Sequence, residues 1–99
     1  MRIISVGTLK AFWGQPAHRD AEQPLRAWVS VVKAARWRDP PAVKRMFGSA
    51  DILRDGRVVF DIGGNKYRLV AWVNYQHGVV YVRFVGTHRD YDGIDAQSI

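Results

Sequence analysis

The 99-residue sequence contains no cysteine. Disulfide frameworks, zinc–thiolate sites, iron–sulfur clusters and cysteine nucleophiles are therefore excluded, which fits a cytoplasmic protein. Long hydrophobic runs are also missing: the apolar stretch at the start is shorter than a signal-peptide core, and no run approaches the ~20 residues of a membrane-spanning helix. We therefore predict a soluble, cytoplasmic protein with no membrane partner. The length predicts one domain over residues 1–99, because two halves would each be too small for a stable core.

Acidic residues are scarce in the first half of the chain. Residues 1–47 contain nine of the 15 basic residues and only three of the nine acidic ones, so this half accounts for the whole formal charge of +6. Residues 48–99 are neutral in sum. A basic surface of this kind is typical of a protein that binds a polyanion or an acidic partner, although it can also serve solubility alone.

The first half is predicted to form a short strand and then helices. Residues 2–6 are strand-like, and Thr8 is the expected cap of a brief helix that begins at Leu9. A longer amphipathic helix should run from about Gln23 to Trp37, with Asp20 and Gln23 as alternative caps. Its apolar residues share one face at helical spacing. These are Leu25, Trp28, Val29, Val32 and Ala35. Asp39-Pro40-Pro41 ends this helix, because proline lacks the amide donor, and a short helical turn follows up to Phe47.

From Asp51 onward the hydrophobic period changes to two. Strand-like runs cover residues 52–62, 66–75 and 79–85, and the first is interrupted by Asp55-Gly56. That dipeptide, Gly63-Gly64-Asn65 and residues 76–78 all have the composition of tight turns. Three turns join four consecutive strands into an antiparallel meander, which the N-terminal strand joins at an edge or in the centre. The predicted fold class is α+β, with both helices on one face of the sheet.

The strand after the Gly-Gly turn carries two cations on one face. Lys66 and Arg68 alternate with a more uniformly apolar set, which we expect to face the helices and to leave both cations on the open face. There Arg68 is suited to bidentate phosphate binding and Lys66 to acting as a point charge. Arg83, in the following strand, lies on the same face or on the opposite one, depending on the register.

A short helical turn after the last strand brings further chemistry. Thr87 is a plausible cap, and His88 and Tyr91 are three residues apart, hence neighbours on one side of the turn. Taken singly, each of these side chains is commonly a surface, capping or packing residue. Together they place an imidazole, a phenol and basic groups at one edge of the sheet.

Two ordered strings, FDIGGNKYRLVAWV and GTHRDYD, resemble the HigB family of bacterial toxins within the RelE-like fold. The resemblance is sharpest over residues 60–73 and at Thr87-His88 and Tyr91-Asp92. It implies an N-terminal strand and two helices packed on a curved antiparallel sheet, followed by a short C-terminal helical turn. This agrees with the fold predicted from periodicity.

The resemblance implies a ribosome-dependent endoribonuclease that cuts translated mRNA in the ribosomal A site. The ribose 2′-hydroxyl would attack the adjacent phosphate, without a metal ion or other cofactor. A helix-turn-helix antitoxin of the HigA type is the expected inhibitor, and DNA contact is expected only through the toxin–antitoxin complex.

The candidate catalytic residues are Arg68 for the phosphate with Lys66 assisting, His88 as base or acid, and Tyr91 as its partner or as a substrate-orienting group. Candidate substrate-binding residues are Asn65, Arg83 and Asp92. Basic residues of the helical half are expected to dock on ribosomal RNA, unless the same surface receives an acidic antitoxin segment. They are Arg26, Lys33, Arg36, Arg38, Lys44 and Arg45. The main alternatives are a non-catalytic RNA-binding or ribosome-binding module and a structural partner protein.

Overall fold

The computed structural model describes residues 1–99. The strands are β1 (Arg2–Ile4), β2 (Asp51–Ile52), β3 (Arg57–Ile62), β4 (Tyr67–Asn74) and β5 (Val79–Thr87). The α-helices are α1 (Val6–Trp13), α2 (Glu22–Ala34), α3 (Pro40–Met46) and α4 (His88–Asp92), and a 3₁₀ helix covers Pro16–Ala21. The predicted α+β class and the short C-terminal helix are therefore confirmed. None of these helices combines the length and apolar composition required to cross a lipid bilayer.

The sheet has the strand order β1-β5-β4-β3-β2. Strands β2 to β5 form the predicted antiparallel meander, and Asp55 and Gly56 adopt positive φ angles of 55° and 80° in the first turn. The N-terminal strand joins this sheet at an edge, one of its two predicted positions, and there β1 runs parallel to β5. Parallel pairing needs a long crossover connection, which the intervening helices and strands provide.

The beginning of α1 differs from the prediction. The helix starts at Val6, and its cap is Ser5, whose side chain accepts a hydrogen bond of 3.2 Å from the Thr8 amide. Thr8 lies inside the first turn. Val6 is β-branched, and its residue type therefore favours a strand. The helix nevertheless begins at Val6, because the Ser5 side chain satisfies the Thr8 amide, and serine is a strongly preferred N-terminal cap.

Helix α2 also differs at both ends. Neither Asp20 nor Gln23 caps it, because the preceding 3₁₀ helix runs directly into it and leaves Ala21 at the cap position. The helix ends at Ala34, three residues before the predicted Trp37. The chain then turns extended, and the Trp37 ring stacks on Phe60 and meets Phe47 edge-on. Burial of this indole in the core outweighs the helical propensity of residues 35–37.

The main core lies between the helices and one face of the sheet. Leu25, Trp28 and Val32 of α2 are buried there, as the helical spacing predicted, together with Leu9 and Phe12 of α1. The predicted inner face of β4 is confirmed. It consists of Tyr67, Leu69, Ala71 and Val73, all buried.

The opposite face of the sheet is partly covered by the last residues of the chain. Ala96 packs on Val59 and Val70, and Ile94 and Ile99 pack around this small cluster. Gln97 exchanges hydrogen bonds with the backbone of Arg54, at 2.9 and 2.6 Å. The uncovered part of this face therefore lies at its two ends, one of which contains Arg68.

Candidate active site

Arg68 lies near the start of β4, directly opposite Asp61 of β3 in the strand register. The two side chains form an ion pair between Nη1 and Oδ1, and they are only 17% and 23% exposed. Because water is largely excluded from this pair, the carboxylate holds the guanidinium in one orientation. Arg68 is thus the fixed cation of the site.

Asn65 connects Arg68 to His88. It follows Gly63 and Gly64, whose φ angles of 62° and 71° allow the tight turn that places the Asn65 side chain beside the start of β4. The Asn65 Oδ1 accepts a hydrogen bond of 2.8 Å from Arg68 Nη1 and lies 3.0 Å from His88 Nε2. A single carbonyl oxygen therefore bridges the guanidinium and the imidazole.

His88 is placed by the cap of α4. The Thr87 side chain accepts from the Asp90 amide at 3.1 Å, and the Asp90 carboxylate accepts from the Thr87 amide at 3.1 Å, which is a capping box. Thr87 pairs with Tyr67 across β4 and β5, so α4 starts beside the Gly-Gly turn. This register carries a residue 23 positions away in the chain to Asn65.

Tyr91 lies one helical turn after His88, on the same side, as predicted. The Cζ atom of Arg68 is 5.8 Å from the centre of its ring, within the range of a cation–π contact. Phe84 supports the ring from the sheet with an edge contact at 6.5 Å. The structure therefore brings together Arg68, Asn65, His88 and Tyr91, all four of them sequence-predicted.

Lys66 does not join this cluster. Its ammonium pairs with Asp20 of the 3₁₀ helix, and the same carboxylate accepts a hydrogen bond of 2.5 Å from the Tyr67 hydroxyl. Hydrogen bonds from Lys66 and Tyr67 lower the pKa of Asp20, whereas the bond to Asp20 raises the pKa of Lys66. Burial and the Asp20 contact raise the pKa of Tyr67. The predicted open-face position of Lys66 is wrong, because its flexible side chain pairs with Asp20 on the helical side of the sheet.

Arg83 and Asp92 form no hydrogen bond or ion pair with Arg68, Asn65 or His88. A β-bulge between Val70 and Ala71 leaves Arg83 without a directly paired residue, and its Nε donates to the Ile99 carbonyl at 3.3 Å. Arg83 thus contacts the segment that covers the open face. Asp92 is exposed at the end of α4, beside a groove that Leu53 and Ile94 also line.

All six predicted docking residues are exposed, but their surroundings differ. Arg26 pairs with Glu22 at 2.7 Å and lies over the Trp13 ring, and Lys44 donates to the Ala50 carbonyl at 2.6 Å. The remaining residues include three that line one groove of about 590 Å³ with no acidic residue in its walls. We call this the basic groove; its charged and titratable side chains are Arg2, Lys33, Arg36, Arg38, Tyr75 and His77.

The basic groove lies at the other end of the sheet from Arg68. Tyr75, which lines the groove, is seven residues further along the β4 segment, a distance of about 23 Å for an extended chain. Burial raises the pKa of the Tyr75 phenol, and the nearby Asp39 carboxylate adds to that effect. The charge-rich surface and the clustered site are therefore spatially separate.

Asp61 is the site residue that the sequence analysis missed. A turn of residues 63–66 between paired Ile62 and Tyr67 places Asp61 opposite Arg68. The opposite charges at symmetric positions around the Gly-Gly turn were the available signal.

No three His, Asp or Glu side chains of the protein converge in a way that could hold a metal ion.

Comparison with known proteins identifies the class to which this protein belongs. Residues 21–94 match the sequence model of a family described as HigB_toxin, the RelE-like toxic component of a toxin-antitoxin system. The chain therefore belongs to the HigB toxin family, as its motifs predicted.

Named relatives agree with this assignment. The mRNA interferase toxin HigB of Escherichia coli K12 is 33% identical over 95 residues, covering 93% of this chain and 88% of that protein. The mRNA interferase HigB of Shigella flexneri is similar to the same extent. The mRNA interferase HigB of Escherichia coli O6:H1 is 27% identical over 70 residues, covering 69% of this chain and 68% of that protein.

Proposed function

We propose that this toxin is an endoribonuclease that cleaves mRNA on translating ribosomes. The observation that carries the proposal is the Asn65 oxygen shared by Arg68 and His88, which sets a cation and a proton-transfer group side by side on the open face. The similarity to proteins named mRNA interferases supports the same substrate. The site of action is then the cytoplasm, where messages are translated.

The reaction is an internal transfer within the RNA. The 2′-oxygen of a ribose forms a bond to the adjacent phosphorus as the bond from phosphorus to the 5′-oxygen breaks. His88 takes the 2′-hydroxyl proton or returns a proton to the 5′-oxygen, and Arg68 stabilises the charge that develops on the phosphorane. Nucleophile and leaving group both belong to the substrate, so no metal ion, cofactor or second reactant enters the balance.

Tyr91 is placed to orient the substrate or to act as the second proton-transfer group beside His88. Its ring lies against the Arg68 guanidinium, so an RNA phosphate bound there would lie beside Tyr91. Contacts of Arg83 and Asp92 with flanking nucleotides stay a prediction. We assign Lys66 no role in this reaction, because its ammonium pairs with Asp20.

Docking on ribosomal RNA is the proposed role of the basic groove and of the other exposed basic residues of the helical half. A groove about 23 Å from Arg68 can hold the ribosome while the open face receives the message. An antitoxin of the HigA type could occupy the groove instead through an acidic segment. Either partner would bind more weakly as salt concentration increases.

Cleavage mapping on a translated message tests the enzyme. Purified toxin with ribosomes in a defined translation reaction should produce new 5′-hydroxyl ends at codons in the A site. Arg68→Ala and His88→Ala should abolish these ends, whereas Arg89→Ala, which changes an exposed neighbour of His88, should not. Absence of cleavage by the wild-type protein would overturn the proposal.

The alternative is a module that binds RNA without cutting it. It is favoured by the stacked pair of Trp72 and Tyr81 on the open face, with ring centres 4.9 Å apart, since aromatic rings bind unpaired bases. This module would retain RNA in a binding assay and leave its ends unchanged in the cleavage assay.

A further inference from the structure

We propose that Asn65 is a positioning residue that fixes the tautomer of His88. Its carbonyl oxygen holds the imidazole in the form protonated on Nε2 and leaves Nδ1 to exchange the proton with RNA. The tautomer is a property of the free protein. Its catalytic consequence rests on the proposed nuclease function.

The orientation of the Asn65 amide follows from Arg68. A guanidinium has only donors, so the Asn65 atom that it contacts at 2.8 Å must be the oxygen and not the amino group. A flipped amide would place a donor against a donor. Asp61 prevents the guanidinium from moving away to relieve such a clash, because it pairs with the same Nη1 atom. The usual ambiguity between the two amide atoms is thereby resolved.

The protonation of His88 follows from the same oxygen. The Asn65 Oδ1 has no hydrogen to give, and it lies 3.0 Å from His88 Nε2. A hydrogen bond at this distance therefore requires the hydrogen to be on Nε2. The oxygen has two lone pairs, one for the guanidinium and one for the imidazole. Asp61, Arg68, Asn65 and His88 thus form one continuous chain of contacts.

The second ring nitrogen is the reactive one. His88 Nδ1 has no hydrogen-bond partner in the protein and is not among the buried polar atoms that lack one, so it is open to solvent. In the neutral ring it carries the lone pair and can accept the 2′-hydroxyl proton. In the protonated ring Nδ1 can instead donate a proton to the 5′-oxygen, and in either role Nε2 keeps its bond to Asn65. Either role uses the same ring orientation.

Nitrogen NMR of the free protein, labelled with ¹⁵N in histidine, measures the tautomer directly. At a pH where the ring is neutral, His88 Nε2 should show the shift of a protonated ring nitrogen and Nδ1 that of an unprotonated one. His77, an exposed turn residue whose ring makes no hydrogen bond, is the internal reference for an exchanging ring. A His88 ring protonated on Nδ1 would overturn the proposal.

Variants at residue 65 separate the acceptor from the fold. Asn65→Ala should bring the His88 nitrogen shifts toward the averaged values of His77, whereas Asn65→Asp, which keeps an acceptor, should retain the wild-type tautomer. His88→Gln places an amide donor near the position of Nε2 and should leave the Arg68 side-chain signals unchanged while removing activity. An unchanged His88 tautomer in Asn65→Ala would show that Asn65 does not fix it.

Kinetics distinguish positioning from direct substrate contact. Asn65→Ala should lower kcat by about 10- to 100-fold, because a loosened catalytic group loses its orientation, and should change KM by less than about threefold. An effect on KM alone would contradict the positioning role. If the wild-type protein shows the predicted tautomer but cuts no RNA, the proposed function fails and the assignment of the tautomer stands.

Discussion

Replacing Asp61 tests whether the Arg68 ion pair organises the site. Breaking a fully buried pair costs about 3–5 kcal/mol, and an exposed pair contributes about 0–1 kcal/mol. Asp61 and Arg68 are 23% and 17% exposed, between these limits and nearer the buried one. We expect Asp61→Asn to lower the free energy of unfolding by about 2 kcal/mol. For a domain of this size that corresponds to a decrease in Tm of about 8–16 °C.

A double-mutant cycle isolates the contact itself. Urea unfolding, followed by tryptophan fluorescence, should give Asp61→Asn and Arg68→Met a coupling free energy of about 1–2 kcal/mol. The pair of Glu22 and Arg26 is a control within the same protein, since its side chains are 40% and 56% exposed. It should couple by only about 0.3–0.5 kcal/mol. Equal coupling in the two pairs would refute the view that Asp61 holds Arg68 through a shielded contact.

Three further predictions concern activity, docking and pH. Arg68→Ala and His88→Ala should each relieve the growth arrest of cells that express the toxin alone, measured by colony counts; full toxicity of either variant would remove that residue from the site. Arg36→Glu with Arg38→Glu should reduce ribosome co-sedimentation and lower the salt dependence of binding by about one unit of slope per lost phosphate contact, whereas Lys10→Glu with Arg19→Glu should not; equal losses would contradict a docking role for the groove. The lowered pKa of Asp20 means that its contacts with Lys66 and Tyr67 stabilise the fold above the unfolded-state pKa near 3.8 and are lost as the pH falls through the lower folded-state value. The stability difference between wild type and Asp20→Asn, measured by urea unfolding, should therefore be largest at neutral pH and vanish in acid; a difference that persists at low pH would exclude this linkage.

The sheet and the grouping of the site were largely predictable from the sequence. Alternation along β4 identified its buried face, and the turn compositions identified the meander, because both depend on local chemistry. Four clustered residues were likewise predicted, since the Gly-Gly-Asn turn and the His88 cap lie in short, recognisable segments. Local sequence patterns predicted the structure correctly wherever contacts between neighbouring strands determine it.

Features that depend on contacts between residues distant in the sequence were not predicted. Lys66 was assigned by strand alternation alone, but its long side chain reaches Asp20, 46 residues earlier in the chain. The spacing of Trp37 predicts a helical position, but in the structure its ring packs against the aromatic residues Phe47 and Phe60 of the core. The covering of the open face by residues 94–99 and the parallel edge of β1 also depend on contacts between remote segments. None of these contacts leaves a periodic trace in the sequence.

The pairing of β1 with β5 determines when the fold can be completed. Arg2 pairs with Val79 and Ile4 with Tyr81, so the first strand must wait for residues almost eighty positions later. Loop closure over that length is slow compared with formation of the β2 to β5 hairpins. During synthesis β1 can therefore pair at the edge of the sheet only after β5 has emerged from the ribosome. The five-stranded sheet that positions Arg68 and His88 is therefore complete only once residues 79–87 have been synthesised.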